Sequence, residues 1–129
     1  MHVLLDSHTL IWSQDDPGQL SPTATSVLVD PANDRLLSVA TIWEIAIKVS
    51  KKKLPLSMPF RTWIDTAIVD LGLTILHLSL NHAELQSTLP WHHNDPFDRL
   101  LVSQSLADNI PIIAIDSKFD AYGVTRIWN

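Results

Sequence analysis

Five short segments of this chain are dense in apolar residues and do not alternate strictly with polar ones: HVLL at residues 2–5, RLLSV at 35–39, LTILHL at 73–78, PIIAI at 111–115 and VTRIW at 124–128. A strand with one face in water alternates apolar and polar residues, whereas an unbroken apolar run is a strand covered on both faces. Between these runs lie stretches that carry helix punctuation. SPTATSVLVD opens with Ser21 and Pro22, a cap followed by a first-turn proline. ATIWEIAIKVSKKK follows Ser38, a candidate cap, and is apolar almost all round. MPFRTWIDTAIVDLG has Pro59 near its start and Gly72 at its stop, SLNHAELQSTL is halted by Pro90, and DPFDRLLVSQSLADN begins with Asp95 and Pro96. SHTLIWSQ fits a short helix with Ser7 as its cap, and SKFDAYG fits a helical turn. Strands that alternate with helices predict an α/β fold, a three-layer α/β/α sandwich around a mostly parallel central sheet with right-handed crossovers. No repeat, linker or low-complexity segment interrupts the pattern, so one domain over residues 1–129 is expected.

Composition narrows the function. The chain has no cysteine, which removes disulfides and thiolate metal sites from consideration. No apolar run approaches membrane-spanning length, and a strand at residue 2 leaves no room for a signal-peptide layout, so a cytoplasmic protein without membrane contact is expected. The net charge of −5 argues against a passive module that grips phosphates with basic side chains. It does not argue against a nuclease whose acids are neutralised by cations. Of the 14 acids only Glu44 and Glu84 are glutamates. The rest are aspartates, a residue favoured at caps, strand ends and metal sites rather than on helix faces.

Four acids stand out. In a parallel α/β sheet ligands bind beyond the carboxyl ends of the strands, near the point where strand order reverses. Asp6 follows HVLL and Asp116 follows PIIAI, although an aspartate in either place also caps a following helix. Glu44 sits among Ile42, Trp43, Ile45, Ala46 and Ile47, where a carboxylate needs a partner or a cation. An exposed pair with Lys48 four residues on is the competing explanation for it. In DPFDR, Asp95 before Pro96 is a capping residue, and Asp98 in the first turn is favoured as an anion by the helix dipole. If the ends of the first and fourth strands are neighbours, Asp6, Asp98 and Asp116 meet on one edge with Glu44 reaching in. Such a cluster of oxygens suits Mg²⁺ or Mn²⁺, and without a cation the carboxylates would take up protons.

At these residues the chain resembles the PIN-domain proteins, in particular the VapC-type toxin ribonucleases of type II toxin–antitoxin systems. The stretches that carry the resemblance are LLDSH (4–8), SVATIWEIAIK (38–48), LPWHHNDPFDRLLVSQSLA (89–107) and IIAIDSKFDAYGV (112–124). The resemblance implies an α/β/α fold and an endoribonuclease that depends on Mg²⁺ or Mn²⁺. It also implies a homodimer and a cognate antitoxin whose C-terminal segment blocks the active site. Carried over by position, the four family acids fall on Asp6, Glu44, Asp98 and Asp116, as catalytic residues and metal ligands. Residues 51–89 carry little of the match.

Other side chains weigh less. Ser7 and Arg99 adjoin the first and third acids and are candidates to touch RNA substrate; Arg99 equally suits a contact with the antitoxin or an ion pair with a nearby acid. His8 follows the first acid and is in a position to approach substrate. His92 and His93 precede DPFDR, but hard cations prefer oxygen, so a loop-packing role is favoured for both. Lys51, Lys52 and Lys53 complement a helix C-terminus better than they suggest an RNA contact. The five tryptophans are expected to anchor cores or interfaces, with Trp63 in a helical stripe facing the core or a dimer surface. Two rival functions remain: an inactive domain of this fold that only binds protein, and a phosphoacceptor receiver. The single acid after the first strand, and an aspartate where a receiver has lysine, disfavour the latter.

Overall fold

Val3, Leu4 and Leu5, the interior of the first apolar run, have no solvent exposure at all. A computed structural model, which describes residues 1–129, explains why. The run is strand β1 (His2–Leu5), and it lies at the centre of a sheet with a neighbour on each side. The other strands are β2 (Asp34–Ser38), β3 (Thr74–Leu76), β4 (Ile112–Ile113) and β5 (Arg126–Ile127). They pair in the order β3-β2-β1-β4-β5, and every pairing is parallel. The expected mostly parallel sheet is thus wholly parallel. Its order reverses between β1 and β4, where Leu4 pairs with Ile112 and Leu5 with Ile113.

Side chains alternate across the sheet as a pleated strand requires. Val3, Leu5, Leu37 and Ile113 enter one core, with Leu10, Ile45 and Trp63. Leu4, Leu36 and Ile112 enter the other, with Leu101, Val102 and Phe119. Trp63 is therefore core. The helices are α1 (Ser7–Asp15), α2 (Pro22–Val29), α3 (Val39–Ser50), α4 (Phe60–Leu71), α5 (Leu80–Thr88) and α6 (Pro96–Asp108), with 3₁₀ turns at Pro17–Gln19 and Ser117–Tyr122. Ser21 and Ser38 cap α2 and α3 through the Ala24 and Ala40 N–H groups, each at 3.0 Å. Gly72 ends α4 at φ +59°, a left-handed conformation that disfavours any Cβ.

Two expectations need correction. Ser7 does not cap α1; it is the first helical residue, and Asp6 is the cap. The strands are also shorter than the apolar runs. Strand length is set by partners rather than by hydrophobicity, and Pro111 has no N–H to offer a ladder. Pairing there begins at Ile112, whose N–H donates to the Thr125 carbonyl at 2.9 Å.

Candidate active site

The reversal between β1 and β4 opens a cleft of about 190 Å³ at the carboxyl edge of the sheet. Five of the residues lining it are acidic: Asp6, Glu44, Asp95, Asp98 and Asp116. They come from four separate stretches of chain, which the parallel topology brings to one place. Lys48 is the lysine among the lining residues.

Each acid is held by its own element. Asp6 caps α1 by accepting the Thr9 N–H at 2.9 Å, and Thr9 Oγ1 in turn donates to the Ile113 carbonyl at 2.8 Å, fixing α1 to β4. Burial raises the Asp6 carboxyl above the usual carboxylate range, opposed by the Thr9 hydrogen bond and assisted by the charge of Glu44. Glu44 is 3 % exposed on α3. Its Oε2 accepts from Lys48 Nζ at 2.6 Å and from Ser7 Oγ at 3.3 Å, while its buried Oε1 has no partner. The pair with Lys48 exists, but its acid is buried, so it is not the exposed pair weighed from the sequence. Asp95 caps α6, accepting the Phe97 N–H at 2.8 Å and the Asp98 N–H at 3.1 Å. Asp116 caps the Ser117–Tyr122 turn through the Lys118 N–H at 2.9 Å.

Asp98 shows how crowded these charges are. Its pKa is pushed up to about 8, first by burial and then by the charges of Asp95, Glu44, Asp6 and Asp116. Four acids acting on a fifth is the signature of a cleft that cannot keep all its carboxylates ionised unaided. The unpartnered Glu44 Oε1 is a second mark of the same deficit. An all-oxygen set with surplus negative charge fits a hard divalent cation.

The tightest group of donor atoms includes a histidine. His93 Nε2, Asp98 and Asp116 lie within 4.8 Å of one another. His93 Nε2 is 3.0 Å from Asp98 Oδ2 and 3.7 Å from Asp116 Oδ2, buried, and aligned with neither as a straight hydrogen bond. His93 Nδ1 accepts the Asp95 N–H at 3.2 Å, which puts the ring proton on Nε2. In that tautomer the ring presents an N–H between two carboxyl groups and is not itself a ligand. This differs from the loop-packing role favoured for it from the sequence. The available signal was its place two residues ahead of the α6 cap.

The family model described as PIN domain matches residues 3–124. The chain belongs to the PIN-domain family. A curated relative, Ribonuclease VapC22 of Mycobacterium tuberculosis, is 24 % identical over 132 residues, covering 98 % of each chain. Among solved structures, VapBC2 of Rickettsia felis bound to a DNA fragment from its promoter superposes with a TM-score of 0.72 at 18 % identity, over the whole of both chains. M. tuberculosis VapC20, described as a toxin that cleaves the sarcin–ricin loop, superposes with a TM-score of 0.69 at 13 % identity, covering 98 % of this chain and 99 % of that one. These likenesses agree with the α/β/α fold.

Not every residue singled out in this PIN domain faces the cleft. Arg99 is 2 % exposed. It donates to the carbonyls of Pro90 at 2.8 Å and Leu89 at 3.2 Å and to Tyr122 Oη at 3.2 Å, and its guanidinium lies 3.6 Å from the centre of the Trp91 ring. With its donors taken inside, it does not meet the expectation of a contact to phosphate or antitoxin. It fastens the segment before α6, and Tyr122 Oη accepts the His93 N–H at 2.9 Å. Ser7 does line the cleft, but it is buried and its hydroxyl donates to Glu44, so it orients an acid. His92 packs edge-on against Tyr122, 5.1 Å between ring centres. Lys51, Lys52 and Lys53 form an exposed turn beyond α3 and do not line the cleft. No helix is long and apolar enough to cross a membrane.

Proposed function

We propose that this chain, as one PIN domain over residues 1–129, is a metal-dependent endoribonuclease and the toxin of a toxin–antitoxin pair. The observation that carries the reading is the convergence of Asp6, Glu44, Asp98 and Asp116 on one cleft, where burial and then the neighbouring carboxylates lift Asp98 to about 8. The family match and the full-length similarity to Ribonuclease VapC22 support it. Asp6, Asp98 and Asp116 would hold Mg²⁺ or Mn²⁺, with Glu44 completing the set through its unpartnered Oε1. Bound there, the cation supplies charge neutralisation for a phosphodiester and a water of lowered pKa.

The protein's own groups do the rest. Helix caps hold Asp6 and Asp116 at the sheet edge. Ser7 and Lys48 fix one oxygen of Glu44 and leave the other without a partner, so that it would be available to a cation or its water. His93 Nε2 lies between Asp98 and Asp116, 3.0 and 3.7 Å from their nearer oxygens. The relatives found in VapBC complexes support a cognate antitoxin for this chain. A homodimer and a cytoplasmic location belong to the same proposal.

Asp6→Asn separates the two roles of that residue. Asparagine caps a helix about as well as aspartate, so the fold is retained, while the ligand charge is lost. The variant is expected to unfold like the wild type, to lose cleavage of labelled RNA in Mg²⁺ or Mn²⁺, and to give little heat on calorimetric titration with Mn²⁺. Wild-type cleavage by this variant removes the proposal. Wild-type protein that binds no Mn²⁺ favours the inactive protein-binding rival.

A further inference from the structure

The acidic cleft is poorly equipped to hold a polyanion. Five carboxylates line it, and Lys48 is tied to Glu44 at 2.6 Å. A substrate strand drawn in by a cation needs further affinity from something other than phosphate contacts. One wall of the cleft offers it. His8 and Trp12, one turn apart on α1, both line the cleft. Their ring centres are 5.4 Å apart at 46°, and Trp12 lies 6.0 Å from Trp128 at 58°.

The three rings form a ladder from the core to the rim. Trp128 is 7 % exposed and its carbonyl accepts a hydrogen bond from Ser21 Oγ, so the inner rung is fixed. Trp12 is half-buried, and His8, the outer rung, is exposed. His8 is two residues from Asp6 and within Coulombic reach of its carboxyl. An exposed aromatic face, backed by a rigid ring and set beside an acid centre, has the chemistry of a platform for an unstacked nucleobase. The exposed tryptophans elsewhere do not line this cleft: Trp91 covers Arg99, and Trp43 packs edge-on against Phe97.

Building on the ribonuclease reading, we propose that His8, backed by Trp12, is a nucleobase subsite that stacks one base flanking the scissile phosphate of single-stranded RNA. Stacking tolerates any base because each has a π face, so the subsite sets where a strand is held rather than which base it carries.

The test pairs protein variants with RNA in which a single base is missing. A single-stranded RNA that the wild type cleaves is made with an abasic ribose at each position flanking the cut. KM and kcat are measured in Mn²⁺ for wild type, His8→Ala and His8→Phe. His8 is exposed, so neither variant should disturb the fold. At one flanking position the abasic substrate should raise the wild-type KM by roughly 5- to 100-fold with little change in kcat. His8→Ala should raise KM for intact RNA by a similar factor and be insensitive to the missing base. His8→Phe should restore both the affinity and that sensitivity. Equal losses for His8→Ala on intact and abasic RNA would mean a phosphate contact and overturn the proposal, as would no loss at all. Fluorescence anisotropy of the same RNAs with wild type and His8→Ala, with Ca²⁺ in place of Mn²⁺, reads binding without cleavage. If wild type cleaves no RNA, the ribonuclease reading fails, and anisotropy of wild type and His8→Ala on one single-stranded RNA carrying an abasic ribose at each position in turn still decides the subsite: a base dependence at one position that His8→Ala abolishes supports it, and none overturns it.

Discussion

Asp98 is pulled two ways. Its place in the first turn of α6 favours the anion, while burial and four neighbouring acids favour the neutral acid, and the second influence wins. The folded protein therefore keeps a proton that the unfolded chain releases near pH 4. In the cation-free protein its contribution to stability is fully present below about pH 4 and is lost as the pH rises towards about 8. A divalent cation competes for the same site, so Mn²⁺ should bind more tightly as the pH climbs through that window. Thermal unfolding in chelator from pH 5 to 8.5 should show a falling Tm for wild type and a flatter profile for Asp98→Asn. A wild-type Tm that climbs across this range contradicts the assignment. Asp98 and Glu44 were legible in the sequence because a carboxylate at a helix start, or in an apolar helix, calls for an explanation. His93 was not, because what brings its ring into the cleft is the approach of Asp116 from a distant segment, which local sequence does not reveal.

At the level of elements, the caps were readable and the clamps were not. Ser21, Ser38, Asp95 and Gly72 act where their sequence contexts place them. Ser7 yielded the α1 cap to Asp6, since two adjacent residues compete for one post and local sequence does not rank them. Arg99 beside an acid suggested a contact with phosphate or antitoxin, or a pair with a neighbouring acid, yet it is the pin between α6 and the segment before it. Arg99→Met should keep some of the buried volume but strand the Leu89 and Pro90 carbonyls and give up the Trp91 stack. A loss of about 2–4 kcal/mol is expected from urea unfolding. Cleavage should fall further than stability alone explains, because the same segment carries His93. A loss below about 0.5 kcal/mol would mean the clamp is idle.

For the molecule as a whole, the apolar runs announced a covered parallel sheet, but strand order is a long-range property that periodicity does not encode. From the sequence the adjacency of β1 and β4 is only a condition for the acids to meet, and the pairing of Leu4 with Ile112 meets it. The adjacency has an energetic corollary. A chain cut after Asn109 retains every helix, yet β1 loses one of its two partners and Phe119 leaves its core. Such a fragment should show helical far-UV circular dichroism without a cooperative melt; a sharp, wild-type-like transition would refute this. Because β1 leaves the ribosome long before β4, which must lie against it, the central strand waits with one side unpaired, and the cleft lacks Asp116, until β4 and the turn after it have been made. A cell making such a poison is spared its action until the codon for Asp116 has been read, which is also an interval in which a neutralising protein can be made ready beside it.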